Sequence, residues 1–274
     1  MGSVRIAALG LVAVACVASW AAPPSERRQQ PLEPVRSQRR LELGIHEGVP
    51  WPIINAPVDG PLPPAPMTEE PPSSPATRAA TRVLATVDEI RRSLVTTRYQ
   101  ASTAVNLKQG DYRWDCSGMA AWILRRAAPA AMRALARSRP VARDFAAAIE
   151  RAPTSRARNG WQRIARIADV LPGDVFAWRR PRGMPSKNTG HVGFVLERPL
   201  PVPGIPGAWA VRIADSTSSY HQNDSRDPAG EGGFGVGTLV FLTDAEGAAT
   251  SYGWSGTRSE WYVVTPVVFG RVHR

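Results

Sequence analysis

His191-Val192-Gly193-Phe194-Val195-Leu196 follows directly on the turn-forming tripeptide Asn188-Thr189-Gly190 and is a short apolar run rich in β-branched and aromatic residues. That length and composition predict a buried strand, 191–197, entered through a tight turn. Upstream, Leu171-Pro172-Gly173-Asp174-Val175-Phe176 reads as a turn into a second strand, 174–178. Downstream, the runs 209–214, 239–242 and 262–268 repeat the pattern, with turn-formers between most of them. Before this strand-rich half, Val83, Leu84, Val87, Ile90 and Leu94 recur at helical spacing, and a second helix is expected from Cys116 to about Arg126. Helices first and then a series of strands, without regular alternation, imply an α+β domain with an antiparallel sheet.

The domain should begin near Ala76 and run to Arg274. Residues 22–75 are rich in Pro, Glu, Arg, Gln and Ser and are expected to be an extended, disordered Pro-rich linker. Residues 1–21 read as a secretory signal peptide, with Arg5 in the positive region, an apolar run from Ile6 to Val17, and Ser19-Trp20-Ala21 at the cleavage site. The run is short for a transmembrane helix, and a lipoprotein signal through Cys16 would need a large aliphatic residue where Ala13 stands. An exported protein, periplasmic or extracellular and without a transmembrane segment after cleavage, is the expectation.

The 274 residues carry 34 basic and 23 acidic side chains, a net charge of +11, and are 43% hydrophobic. Such a composition excludes whole-chain disorder and indicates affinity for anionic surfaces. Residues 125–166 hold eleven Arg against Asp144 and Glu150. Pro129, Pro140 and Pro153 divide this stretch into short helical pieces, an Arg-rich insert at about 125–160. It is either a solvated helical face or a docking surface for anionic envelope polymer; export and the lack of a reader motif argue against nucleic acid. Neither a metal nor an organic cofactor is expected, since HExxH, P-loop and paired-Cys zinc spacings are absent from the sequence. Gly230-Glu231-Gly232-Gly233-Phe234-Gly235 fits the letters of a dinucleotide fingerprint, but a strand follows it where a helix is required.

Loss of Cys16 with the signal peptide leaves Cys116 as the sole cysteine of the mature chain. Asp115-Cys116-Ser117-Gly118 precedes the apolar run 119–124, which puts Cys116 at a helix N-terminus, where a thiol pKa is lowered. The small Ser117 and Gly118 leave room for a substrate carbonyl, and the Cys116 N–H is placed to help bind an oxyanion. His191 opens its strand beside a turn. On the next strand Val211, Ile213 and Asp215 share a face, so antiparallel pairing would set Asp215 beside the imidazole. Trp114 and Trp178 flank these segments and are placed to line a groove.

Asp115-Cys116-Ser117-Gly118, Pro172-Gly173-Asp174 and Gly190-His191-Val192-Gly193, in this order, resemble the three signatures of NlpC/P60 cysteine peptidases. The resemblance implies a papain-like core, helices packed on an antiparallel sheet, over about two-thirds of the chain. It further implies Cys116 as nucleophile, His191 as base, Asp215 as the third polar residue, and Tyr99, Asp115 and Ser117 among the substrate contacts. The substrate it implies is the peptide stem of peptidoglycan, cleaved at an amide bond through a thioester. Other classes remain open on the same residues: a degenerate binding module for the cell envelope, or a thioester-forming acyltransferase. Cys116 is also readable as an inert core thiol, His191 as a strand-end hydrogen-bonding group, and Asp215 as a turn cap before Ser216-Thr217-Ser218-Ser219. His221 is the rival third residue, placed in a polar loop; His46 and His273 read as solvent groups.

Overall fold

The computed structural model describes Ile53–Asn55 and residues 73–274. The expected signal peptide and most of the expected linker lie outside the described residues. Ile53–Asn55 is a correction to that linker: it forms a strand, β1, between Pro52 and Pro57. Two β-branched residues in succession favour the extended pairing.

Thr77 starts the first helix by accepting the Ala80 N–H on its side-chain oxygen, which supplies a partner the helix itself lacks there. This helix, α1 (Arg78–Ser93), buries Val83, Val87 and Ile90 along the stripe that the periodicity predicts. Three short strands follow, β2 (Thr96–Tyr99), β3 (Ala104–Asn106) and β4 (Asp111–Trp114), with β4 in the middle of their small sheet. Helix α2 (Cys116–Ala127) comes next and is capped by Asp115, whose carboxylate accepts the Gly118 N–H at 2.6 Å.

The Arg-rich stretch folds into α3 (Pro129–Arg133) and α4 (Ala142–Arg151), the latter burying Phe145 and Ile149. It is therefore built into the core on one side while its arginines face outward, with Arg126 lying 3.4 Å over the Trp122 ring. The strands then run β5 (Trp161–Ile164), β6 (Val175–Arg179), β7 (Gly190–Val195), β8 (Leu200–Pro201) and β9 (Ala208–Thr217). After them come β10 (Gly233–Thr243), β11 (Ala249–Gly253), β12 (Trp261–Val264) and β13 (Val267–Val272). The expected strand 262–268 is thus two strands, broken at Thr265-Pro266, where the ring removes a ladder donor.

With β1, these strands form one sheet in the order β1-β12-β11-β10-β9-β7-β6-β13-β5, and β8 lies beside β9. Every pairing in it is antiparallel. Alternation splits the sheet into two faces. Val175, Ala177, Val192, Phe194 and Ala214 pack under the helices, whereas Phe176, Trp178, Val211, Ile213 and Phe241 build a second core on the other side. The chain is a mixed α+β protein with an antiparallel sheet. None of its described helices is long and apolar enough to cross a membrane.

Candidate functional site

Register decides where the polar residues meet. β6 pairs with β7 so that Trp178 lies opposite His191, and β7 pairs with β9 through Phe194–Ala214 and Val195–Ile213. Such a close fit needs Gly193, because a Cβ there would come within 2.6 Å of the Phe176 ring and 2.7 Å of the Ala214 carbonyl. Parity then turns His191 and Asp215 to the same face, and the His191 Nε2–H donates to Asp215 Oδ2 at 2.6 Å. The sequence-based pairing of these two residues is the geometry the structure holds.

Asp215 takes part in three further hydrogen bonds, from two donor side chains. His221 Nε2–H reaches the same Oδ2 at 2.8 Å, while Arg226 donates to Oδ1 and also to the Asp215 backbone carbonyl. Arg226 is itself shared with Asp224 Oδ2, which also accepts the His221 backbone N–H at 2.8 Å. Burial alone would push Asp215 up, but the charges of His221 and Arg226 and the two imidazole hydrogen bonds hold its carboxyl well below the usual range. Burial lowers the His191 pKa. Asp215 opposes that shift, and the charges of His221 and Arg226 reinforce it. The resting imidazole is therefore neutral, with its proton on the nitrogen facing Asp215.

Helix α2 brings Cys116 against the start of β7. The Val192 N–H, one residue past His191, faces the sulfur, as does the Ser117 N–H. The thiol differs from the expectation set by its helix position. Cys116 is 6% exposed, and burial raises its pKa, followed by the negative charges of Asp115 and Asp215, more than those two N–H groups lower it. Desolvation of the thiolate outweighs the helix terminus. Among the described residues no hydrogen bond joins the sulfur to the His191 ring, and the directions of the two shifts leave both the thiol and the imidazole neutral at rest.

A cleft of about 380 Å³ opens beside His191, walled by Trp178, Tyr252, Trp254 and Trp261, with Tyr99, Asn188 and Arg180 among its polar groups. Trp178 stacks on Tyr252 at 4.2 Å and lies 5.0 Å from the imidazole. Tyr99 and Trp178 are where the sequence reading places them, on the cleft. Burial raises the Tyr99 pKa, and the neighbouring Cys116 and Asp115 charges add to it, so its hydroxyl keeps its proton.

Three expected substrate contacts are corrected. Trp114 is fully buried, because the alternation of β4 turns it with Tyr112 toward the core, 5.3 Å from that ring and 5.6 Å from Trp122. Ser117 is buried and donates to Asp115 Oδ1 at 2.8 Å. Asp115 uses that oxygen as the helix cap and turns its other toward Arg139, 3.7 Å away. These polar groups build the α2 N-terminus instead of the groove.

Arg226 is the residue that sequence reasoning missed, and His221, weighed there only as a rival to Asp215, joins it on the same carboxylate. The signal was present in Gly233-Phe234-Gly235-Val236-Gly237, glycine at every second position of a strand. Phe234 and Val236 face the helices, while a Cβ at Gly235 or Gly237 would come within 2.6 Å of Arg226 or His221 respectively. The glycine face of β10 makes room for both side chains.

No protein-family model and no solved structure matches the chain. It is similar to an uncharacterized protein of Acanthamoeba polyphaga mimivirus, 27% identical over 180 residues, covering 58% of this chain and 77% of that protein. Among the described residues no group of His, Cys, Asp and Glu is placed to hold a metal ion.

Proposed function

We propose that the chain is an exported cysteine hydrolase of the NlpC/P60 type, with a papain-like core, that cleaves amide bonds in peptidoglycan stem peptides. The observation that carries this reading is the His191–Asp215 hydrogen bond of 2.6 Å in a strand whose next N–H faces the Cys116 sulfur, beside an open cleft. The mechanism begins from the neutral pair. Substrate entry brings thiol and imidazole into contact, and His191 Nδ1 takes the thiol proton as the sulfur attacks the amide carbonyl. The tetrahedral adduct collapses as the imidazolium protonates the departing amine, which leaves a thioester on Cys116. His191 then removes a proton from water, which attacks the thioester, releases the acid and restores the thiol. Asp215 holds the imidazole with its Nε2 protonated, so that Nδ1 is the working nitrogen.

Burial of Cys116 favours a second reading, a degenerate envelope-binding module on the same framework. Muropeptide release from purified sacculi separates the two. Release by wild type that is lost in Cys116→Ser is the expected result; equal release by both proteins would remove the thiol mechanism, and none by either would select the binding module.

A further inference from the structure

One ring nitrogen of His221, Nε2, meets the Asp215 carboxylate. Its other ring nitrogen, Nδ1, lies 3.1 Å from the backbone carbonyl oxygen of Trp254, while Nε2 lies 2.8 Å from Asp215 Oδ2. A carbonyl oxygen and an ionised carboxylate oxygen both lack a proton to give. Each of the two ring nitrogens must therefore be the donor, and an imidazole that donates from both is an imidazolium. His191 is different: its Nε2 donates to the same carboxylate oxygen, and its Nδ1 has no hydrogen-bond partner among the described residues.

Charge balance leads to the same assignment. The side chains of His221, Asp215 and Arg226 are almost wholly buried, and Asp224 is 5% exposed. Asp215 and Asp224 bring two negative charges, and Arg226 brings one positive charge. A protonated His221 closes the cluster at zero, whereas a neutral one leaves a net buried anion, which is costly. The groups around the ring are all accounted for. Asp215 comes from β9, His191 from β7, Asp224 and Arg226 from the same loop as His221, and the Trp254 carbonyl from the segment after β11. β10 presents Gly237 to the ring and no charge.

We infer that His221 is held as a cation in the resting protein and is a positioning residue, which with Arg226 neutralises Asp215 and so leaves His191 a neutral imidazole with a bare Nδ1. Without it, Asp215 would confront His191 as a less compensated anion and favour the imidazolium, the form that cannot accept the thiol proton. Two nearby histidines on one carboxylate oxygen are thus set to opposite protonation states. The kinetic consequence rests on the hydrolase reading; the protonation states do not.

Nitrogen-15 spectra of the imidazole rings in the full chain, assigned through bonds to the backbone, test the inference directly at pH 7. Two protonated nitrogens on His221 and one on His191 are expected; a bare nitrogen on His221 overturns it, whether or not the protein turns over substrate. The kinetic arm uses His221→Gln, which keeps an amide donor toward Asp215 and removes the charge. Its acid limb of kcat/KM for muropeptide release should move to higher pH, with about a tenfold loss on that limb per pH unit of displacement. An unmoved limb overturns the tuning role, and would do so while leaving the hydrolase reading intact.

Discussion

Replacing Asp215 by Asn would keep the outline of the side chain and remove the charge that faces Arg226. A buried guanidinium would then lose its charged partner, and the amide NH₂ would face either both imidazole N–H groups or the guanidinium itself. A loss of about 3–5 kcal/mol is expected, read from the urea midpoint; a loss under about 1 kcal/mol would contradict the network. The pH dependence follows from the depressed folded pKa of Asp215. Its contribution is complete above the unfolded value of about 3.9 and is lost as pH falls toward the folded one, so Asp215→Asn should show a flatter loss of stability in acid. His191 has the same sign for a different reason: as a base with a lowered pKa, it should set an acid limb of activity below the ordinary imidazole value of about 6.5. Cys116 is raised, so iodoacetamide should label the native thiol more slowly at pH 7 than a free cysteine. Rapid labelling at pH 6 would mean that the sulfur is an anion in solution and that the neutral resting pair is wrong.

At the scale of the element, the pairing of β6 with β7 and of β7 with β9 was legible because strand parity is strict. Once Asp215 shares a face with Val211 and Ile213, an antiparallel neighbour delivers it to His191. Trp114 was placed wrongly because its nearness in sequence to Cys116 was read as nearness to the groove, while the alternation of β4 turns it inward. The loop carrying His221 and Arg226 has no period, so its burial was illegible from hydropathy; only the alternate glycines of β10 recorded it. Gly193 is the sharpest test of this packing. Gly193→Ala would press a methyl on Phe176 and the Ala214 carbonyl, and should cost about 1–3 kcal/mol in thermal or urea unfolding. A neutral effect would mean that the β7–β9 register is looser than described.

For the molecule as a whole, the α+β class and the antiparallel sheet followed from element order. The depth to which the Arg-rich stretch enters the core did not, because its apolar residues, Phe145 and Ile149 among them, are spaced between arginines that dominate its composition. The net charge of +11 is concentrated there. Retention on anionic sacculi should weaken steeply with salt, since the screening length falls from about 10 Å at 0.1 M to about 3 Å at 1 M. Retention unchanged across that range would remove charge as the docking force. The central claim, however, is chemical: that Cys116 takes the acyl group of a stem peptide while His191 handles the proton. Acid-quenched intact-protein mass spectrometry during muropeptide turnover tests it most directly. The account predicts an adduct equal to the substrate minus its leaving amine, mapped to Cys116 and absent from Cys116→Ser. Turnover that proceeds undiminished in Cys116→Ser, with no acyl group on the wild-type sulfur, would contradict it.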